Sequence, residues 1–242
     1  MIVASKKMLE YFEDIDKKVK ISYDFANRAK KNGFDPEQFV DIPLAQNMME
    51  RVVGLIYIIT PQIIGKGVEQ RIEELEKQYG RLDWKVALTI SLEVAQEKFC
   101  NFKDKLQAME TGIRIGLAYV TLGVVVSPLE GFSRLELKKR NDGKEYFALY
   151  YAGPIRSAGG TAASVSVVVA DYIRLKMGYD KYDPTKEEIN RSVSEVKDYH
   201  ERITNLQYLP SDEEIVYLAS NIPVQITGDA SEKIEVSNYK DL

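Results

Sequence analysis

The chain has 242 residues and carries 33 basic against 37 acidic side chains, so its net charge of -4 provides no bulk field for nucleic acid, and any DNA contact has to be local. A single cysteine, Cys100, excludes an internal disulfide framework, and one cysteine with one histidine cannot build a thiolate or imidazole zinc site, a composition that points to a reduced, cytoplasmic protein. The uncharged, mainly apolar run from Ile115 to Ser127 falls short of the roughly 18 residues of a membrane span, and Met1 to Ser5 leads into a charged helix with no signal peptide, so no membrane association is expected.

From Lys6 to Lys31 the apolar residues Met8, Phe12, Ile15, Val19, Tyr23 and Ala26 recur every three or four positions, which predicts an amphipathic helix. Asn32-Gly33 ends it, and the acidic, proline-containing stretch to Pro43 reads as a linker. The expected organisation is a helix over 1–31, a linker over 32–43 and one domain over 44–242. The stripe Met8, Phe12, Ile15, Val19 and Tyr23 needs a partner, supplied by its own domain, by another subunit in an assembly role, or by another part of the full polypeptide.

Further helices are predicted over Leu44 to Ile59 and Val68 to Tyr79, the first weakened at Gly54 and stopped before Pro61. Asp83 caps a third, with an expected buried stripe of Trp84, Ala87, Leu88, Leu92, Ala95 and Phe99. A fourth, Asp104 to Leu122, carries Gly112 and Gly116 one turn apart, the spacing at which two backbones can meet in a tight soluble packing.

At Ser127-Pro128 the period changes from helical to alternating. Phe132 to Lys139 and Glu145 to Tyr151 flank Asn141-Asp142-Gly143 and predict a hairpin. Thr161 to Met177 is expected to be helical, although Val165, Val167, Val168 and Val169 leave a strand open. Thr185 to Glu188 and Ser211 to Glu214 are capping boxes. Ile222 to Thr227 and Lys233 to Val236 suggest a closing pair of strands around Gly228-Asp229. The fold class is therefore α+β, mostly helical, with a β-hairpin or small antiparallel sheet, preceded by a detached amphipathic helix.

Two constellations carry chemistry. In Gly153-Pro154-Ile155-Arg156-Ser157-Ala158-Gly159-Gly160-Thr161, Arg156 is the only charge between Glu145 and Asp171, and it precedes a helix start. Backbone N–H groups from Ser157 to Thr161 with the Arg156 guanidinium suit a phosphate. The spacing matches neither a Walker A loop nor a dinucleotide fingerprint. The plain alternative is that the small residues let the helix pack flat on the hairpin while Arg156 pairs with a carboxylate. The second constellation is Lys138, Lys139, Arg140 and Lys144 at the hairpin tip, suited to a phosphate backbone or, alternatively, to protecting a sheet edge. Tyr146, Phe147, Tyr150 and Tyr151 could stack bases or fill the core. His200 follows Ile189, Val193 and Val196 on a helical stripe and reads as a packed histidine. Acidic clusters such as Glu73, Glu74 and Glu76 read as solvated helix faces, so no catalytic or metal-binding set is nominated.

The segment YYAGPIRSAGGTAAS, together with IPLAQNMMERVVGLI, SPLEG, YHERITNLQY and SNYKDL, strongly resembles the large subunit of the archaeal D-family DNA polymerases over essentially the whole chain. The resemblance implies the amino-terminal part of a longer polypeptide. It also implies that the Mg2+-dependent nucleotidyl transfer belongs to sequence beyond Leu242, and that the proofreading exonuclease belongs to a separate small subunit. It favours a role of this piece in assembly and DNA binding, with DNA, the small subunit and a second large subunit as partners. Two other readings remain open: a self-contained phosphate-binding enzyme using Arg156 and Gly159-Gly160, and a docking scaffold without DNA contact.

Overall fold

The structure is a computed structural model that describes residues 5–34, 48–57, 59–121, 131–153, 160–203 and 205–228. The chain divides into two compact units, Met1–Pro43 and Leu44–Leu242.

Among the described residues, the first unit is a single helix, α1 (Lys6–Lys31), with Ser5 accepting the Met8 N–H at its start and Asn32 closing its end. Arg28, Lys30 and Lys31 occupy the last turn, where cations complement the helix dipole. None of its residues is buried; Met8 and Phe12 are exposed, and Ile15, Val19 and Tyr23 are half-buried.

The second unit is organised around α5 (Lys105–Val120), whose N-cap Asp104 accepts the Gln107 N–H at 2.8 Å. Apolar side chains run around most of this helix, so it has to be enclosed. On one side Ile115, Ala118 and Tyr119 join a core formed with α2 (Met48–Tyr57), α3 (Val68–Tyr79) and α4 (Trp84–Ala95). On the other, Met109, Ile113 and Leu117 join a core formed with β1 (Phe132–Lys139), β2 (Glu145–Tyr151) and α6 (Gly160–Lys176). The paired glycines serve this enclosure: a Cβ on Gly112 would meet the Ser91 carbonyl oxygen at 2.5 Å, and one on Gly116 would meet Ser91 Oγ at 2.2 Å.

The stripe expected on α4 is corrected. Val86, Ala87, Ile90, Ser91, Val94 and Ala95 are the buried residues, Trp84 is exposed, and Phe99 lies beyond the helix end. The reason is that α4 is enclosed from more than one side, so Val86, Ile90 and Val94 enter the core shared with α2, α3 and α5 while Ser91 and Ala95 lie against the α5 glycines. Residues 161–176 are helical despite their valines, since Val165, Val169, Ala170 and Ile173 form one face against the sheet and α5.

β1 and β2 have the expected bounds and pair antiparallel, from Phe132 opposite Tyr151 to Lys139 opposite Glu145. The turn is closed by Gly143 N–H donating to the Arg140 carbonyl at 2.9 Å, with Gly143 at φ +83°, a conformation that glycine adopts without strain.

α7 (Lys186–Arg202) and α8 (Asp212–Asn221) begin at complete capping boxes, Thr185 with Glu188 and Ser211 with Glu214. Of the expected closing strands, the one over Ile222 to Thr227 is present, and it changes the character of the sheet. β3 (Gln225–Gly228) runs parallel to β2, which makes the three-stranded sheet mixed, in the order β1-β2-β3, and not antiparallel. A parallel neighbour requires a long crossover, and α6, α7 and α8 provide it. The strand expected over Lys233–Val236 lies outside the described residues, as do most of the 32–43 linker and residues 122–130.

Candidate nucleic-acid interface

The hairpin places its four basic tip residues in four different environments. Lys138 extends along the sheet, donates from Nζ to Gln225 Oε1 at 3.1 Å and lies 5.1 Å from the centre of the Tyr150 ring. Burial alone would lower its pKa, but hydrogen bonding to Tyr150 and the neighbouring phenols raise it, so the ammonium is kept charged. Arg140 reaches Asp142 at 3.4 Å and Asp183 at 3.5 Å and donates to the Lys181 carbonyl. Lys144 lies 3.4 Å from Asp180. Lys139 is exposed. Two of the four tip cations, Arg140 and Lys144, are thus matched by Asp142, Asp180 and Asp183. These are surface pairs, worth about 0–1 kcal/mol each, so a phosphate can compete for the same cations.

The solvent-side face of β1 and β2 holds a stack that the sequence reading did not single out. Arg134 lies 3.7 Å from the centre of the Tyr150 ring and donates to Glu136 at 2.9 Å. Glu136 is held below the usual carboxylate range, first by its hydrogen bond with Tyr150 and then by Arg134. The alternation Arg134, Glu136, Lys138 was visible in the sequence, but that Tyr150 stands opposite Arg134 follows only from the register. Of the other strand aromatics, Phe147 and Tyr151 face the core and Tyr146 is buried against Tyr182, with ring centres 5.2 Å apart.

At the opposite end of the hairpin, α5 clasps β1. Glu110 accepts the Leu135 N–H at 2.7 Å, and Arg114 donates to the carbonyls of Phe132 and Ser133. Burial raises the Glu110 pKa and lowers that of Arg114. Beside it, the Tyr151 hydroxyl meets Ser166 Oγ at 2.7 Å, and burial pushes the phenol up to about 12.

The residues flanking the glycine-rich turn are described. Ala152 N–H donates to the Gly131 carbonyl where β2 leaves the sheet, and α6 starts at Gly160. Gly160 and Thr161 are exposed, and a Cβ on Gly160 would meet nothing within 4 Å. Packing therefore does not require glycine at 160, in contrast to Gly112 and Gly116. Arg156, Ser157 and Gly159 lie outside the described residues. Ala152, the last residue but one described before the turn, lies at the Phe132 end of the strand, seven residue steps or roughly 23 Å from Lys139.

His200 is half-buried near the end of α7, where its Nδ1 accepts the Leu206 N–H at 3.0 Å and ties down the following loop. Among the described residues, no three His, Cys, Asp or Glu side chains gather closely enough to hold a metal ion, and no helix is long and apolar enough to cross a membrane.

In class, this is an α+β module: a buried central helix, enclosed by other helices and a small mixed sheet, that presents a basic hairpin. Residues 10–242 match the model of the family described as DNA polymerase II large subunit DP2, N-terminal, and the chain belongs to that family. It is 50% identical over 232 residues to the DNA polymerase II large subunit of Nanoarchaeum equitans, covering 96% of this chain and 19% of that protein. It is 45% identical over 241 residues to the large subunit of Methanococcus maripaludis strain C5, covering 100% and 20%. For Methanothermobacter thermautotrophicus the identity is 42% over 237 residues, covering 97% and 21%. The chain thus spans about a fifth of the length of these curated relatives.

Proposed function

We propose that these residues form the non-catalytic N-terminal module of a D-family replicative DNA polymerase, serving subunit assembly and the holding of DNA. The observation that carries this reading is the family match across residues 10–242. The intact enzyme carries out template-directed DNA synthesis with Mg2+, and its nucleotidyl transfer is assigned by the resemblance to sequence beyond residue 242. No step through the metal is assigned to this chain. The partners are DNA, the small exonuclease subunit and, through α1, a second large subunit. The exposed and half-buried stripe Met8, Phe12, Ile15, Val19 and Tyr23 supports the assembly role.

For DNA, the structure favours Lys139 and the exposed α6 start at Gly160 and Thr161, with Arg140 and Lys144 joining by exchanging aspartates for phosphates and Lys138 by leaving Gln225. The open space at Gly160 leaves room for a backbone to approach, and Arg156, Ser157 and Gly159 are assigned to the same contact by their chemistry. A docking scaffold without DNA contact is the second reading, favoured by the aspartates that match the tip cations. One experiment separates the two. In the assembled enzyme, Lys138, Lys139, Arg140 and Lys144 are changed together to Ser and DNA affinity is followed against salt. The DNA reading expects the log-log slope to fall in magnitude by about 1 or more, since each lost phosphate contact removes about 0.9. An unchanged slope, with Arg156→Ala also silent, leaves the scaffold.

A further inference from the structure

α8 is built for a cover that the described residues do not provide. Its central run, Ile215-Val216-Tyr217-Leu218-Ala219, is apolar on every face, a pattern that belongs to enclosed helices. Yet Ile215 is its only buried residue, while Tyr217 is 69% exposed and Leu218 57%. Together with Tyr208 and Pro210 these two side chains line a groove of about 380 Å³, with Glu213 and Glu214 on its rim.

The groove is preformed. The Tyr208 hydroxyl donates to both Glu214 carboxylate oxygens, at 2.8 and 2.7 Å, and the same carboxylate accepts the Ser211 N–H at 2.8 Å. The capping box that starts α8 therefore also pins the aromatic wall, so an occupant has no loop to order.

We propose that this groove seats a segment of the same large subunit lying C-terminal to residue 242, an apolar stretch flanked by basic residues that answer Glu213 and Glu214. The proposal rests on the N-terminal family reading: the chain covers 19–21% of its relatives, so about four-fifths of such a polypeptide lies outside it. A segment of the same polypeptide meets the groove at a far higher effective concentration than a separate protein does.

The test uses the full-length large subunit carrying Tyr217→Cys or Leu218→Cys, with exposed Asn190→Cys as reference, and measures maleimide labelling by peptide mass. Labelling at 217 and 218 is expected to be at least tenfold slower than at 190 in the large subunit alone, independent of its concentration. Labelling as fast as the reference overturns the proposal, as does protection that appears only when the small subunit is added or only as concentration rises. Hydrogen exchange across residues 208–221 in the unsubstituted subunit gives the same reading without a new side chain. Any of the overturning results leaves the proposed DNA role untouched, because that role is read in the salt slope.

Discussion

A Cβ on Gly116 would stand 2.2 Å from the Ser91 hydroxyl oxygen and 2.9 Å from a methyl group of Val169, so α4, α5 and α6 meet at one glycine. Replacing a helical glycine with alanine ordinarily favours the helix by about 1 kcal/mol. Here overpacking, at about 1–3 kcal/mol, outweighs that gain, and Gly116→Ala is expected to lower the urea midpoint. Adding Ser91→Ala should restore part of the loss. The same second change should not rescue Gly112→Ala, because the obstacle there is the Ser91 backbone carbonyl at 2.5 Å. A double-mutant cycle by urea unfolding checks both outcomes.

The α5 clasp on β1 predicts an asymmetry. Arg114→Ala strands the buried Glu110 charge and two strand carbonyls, and should cost about 3–5 kcal/mol by chemical denaturation. Glu110→Gln keeps an acceptor for the Leu135 N–H and should cost less. Burial raises the Glu110 pKa in the folded chain, so the stability it contributes is complete below the unfolded carboxylate value and is lost as pH rises through the folded one. The advantage of wild type over Glu110→Gln should therefore shrink as pH rises from below to above the ordinary carboxylate range. An advantage that grew with pH over that range would contradict this account of the carboxyl.

The capping box of α7 has the opposite sign. Glu188 is held low, first by accepting the Thr185 N–H, so its contribution is present above the ordinary carboxylate range and disappears as pH falls through the lowered value. Thr185→Ala should destabilise by about 1 kcal/mol at neutral pH. The cost of Glu188→Ala should fade in acid, as thermal melts at pH 7 and at pH 3 would report.

α1 offers a direct test of assembly. Changing Phe12 and Val19 together to Ser leaves the helix propensity of a 26-residue element largely intact while removing the centre of its apolar stripe. The expected outcome is a smaller assembly of the two-subunit enzyme by light scattering, with unchanged helicity by circular dichroism. An unchanged mass would exclude the stripe as an assembly surface.

The hairpin shows how much of the candidate site was legible beforehand. Alternation along both strands and the Asn141-Asp142-Gly143 turn announced it to the residue, and the four tip cations were apparent from spacing alone. That Arg140 and Lys144 meet aspartates was not, because Asp180 and Asp183 come from the far side of α6, some forty positions along the chain. The glycines illustrate the same limit: only the three-dimensional neighbours distinguish Gly116, which is wedged against Ser91, from Gly160, which faces open space.

From its own residues the chain determined the caps of α4, α7 and α8, the ends of α1, the hairpin and its family, because caps, turns and periodic faces act over a few positions and motifs are read in one dimension. Tertiary structure alone decided that β3 joins β2 in parallel, which face of α4 is interior, that Glu110 and Arg114 hold β1, and that Lys138 reaches Gln225 across 87 residues. These outcomes arise when distant segments compete for the same buried surface, and no local spacing records which of them prevails.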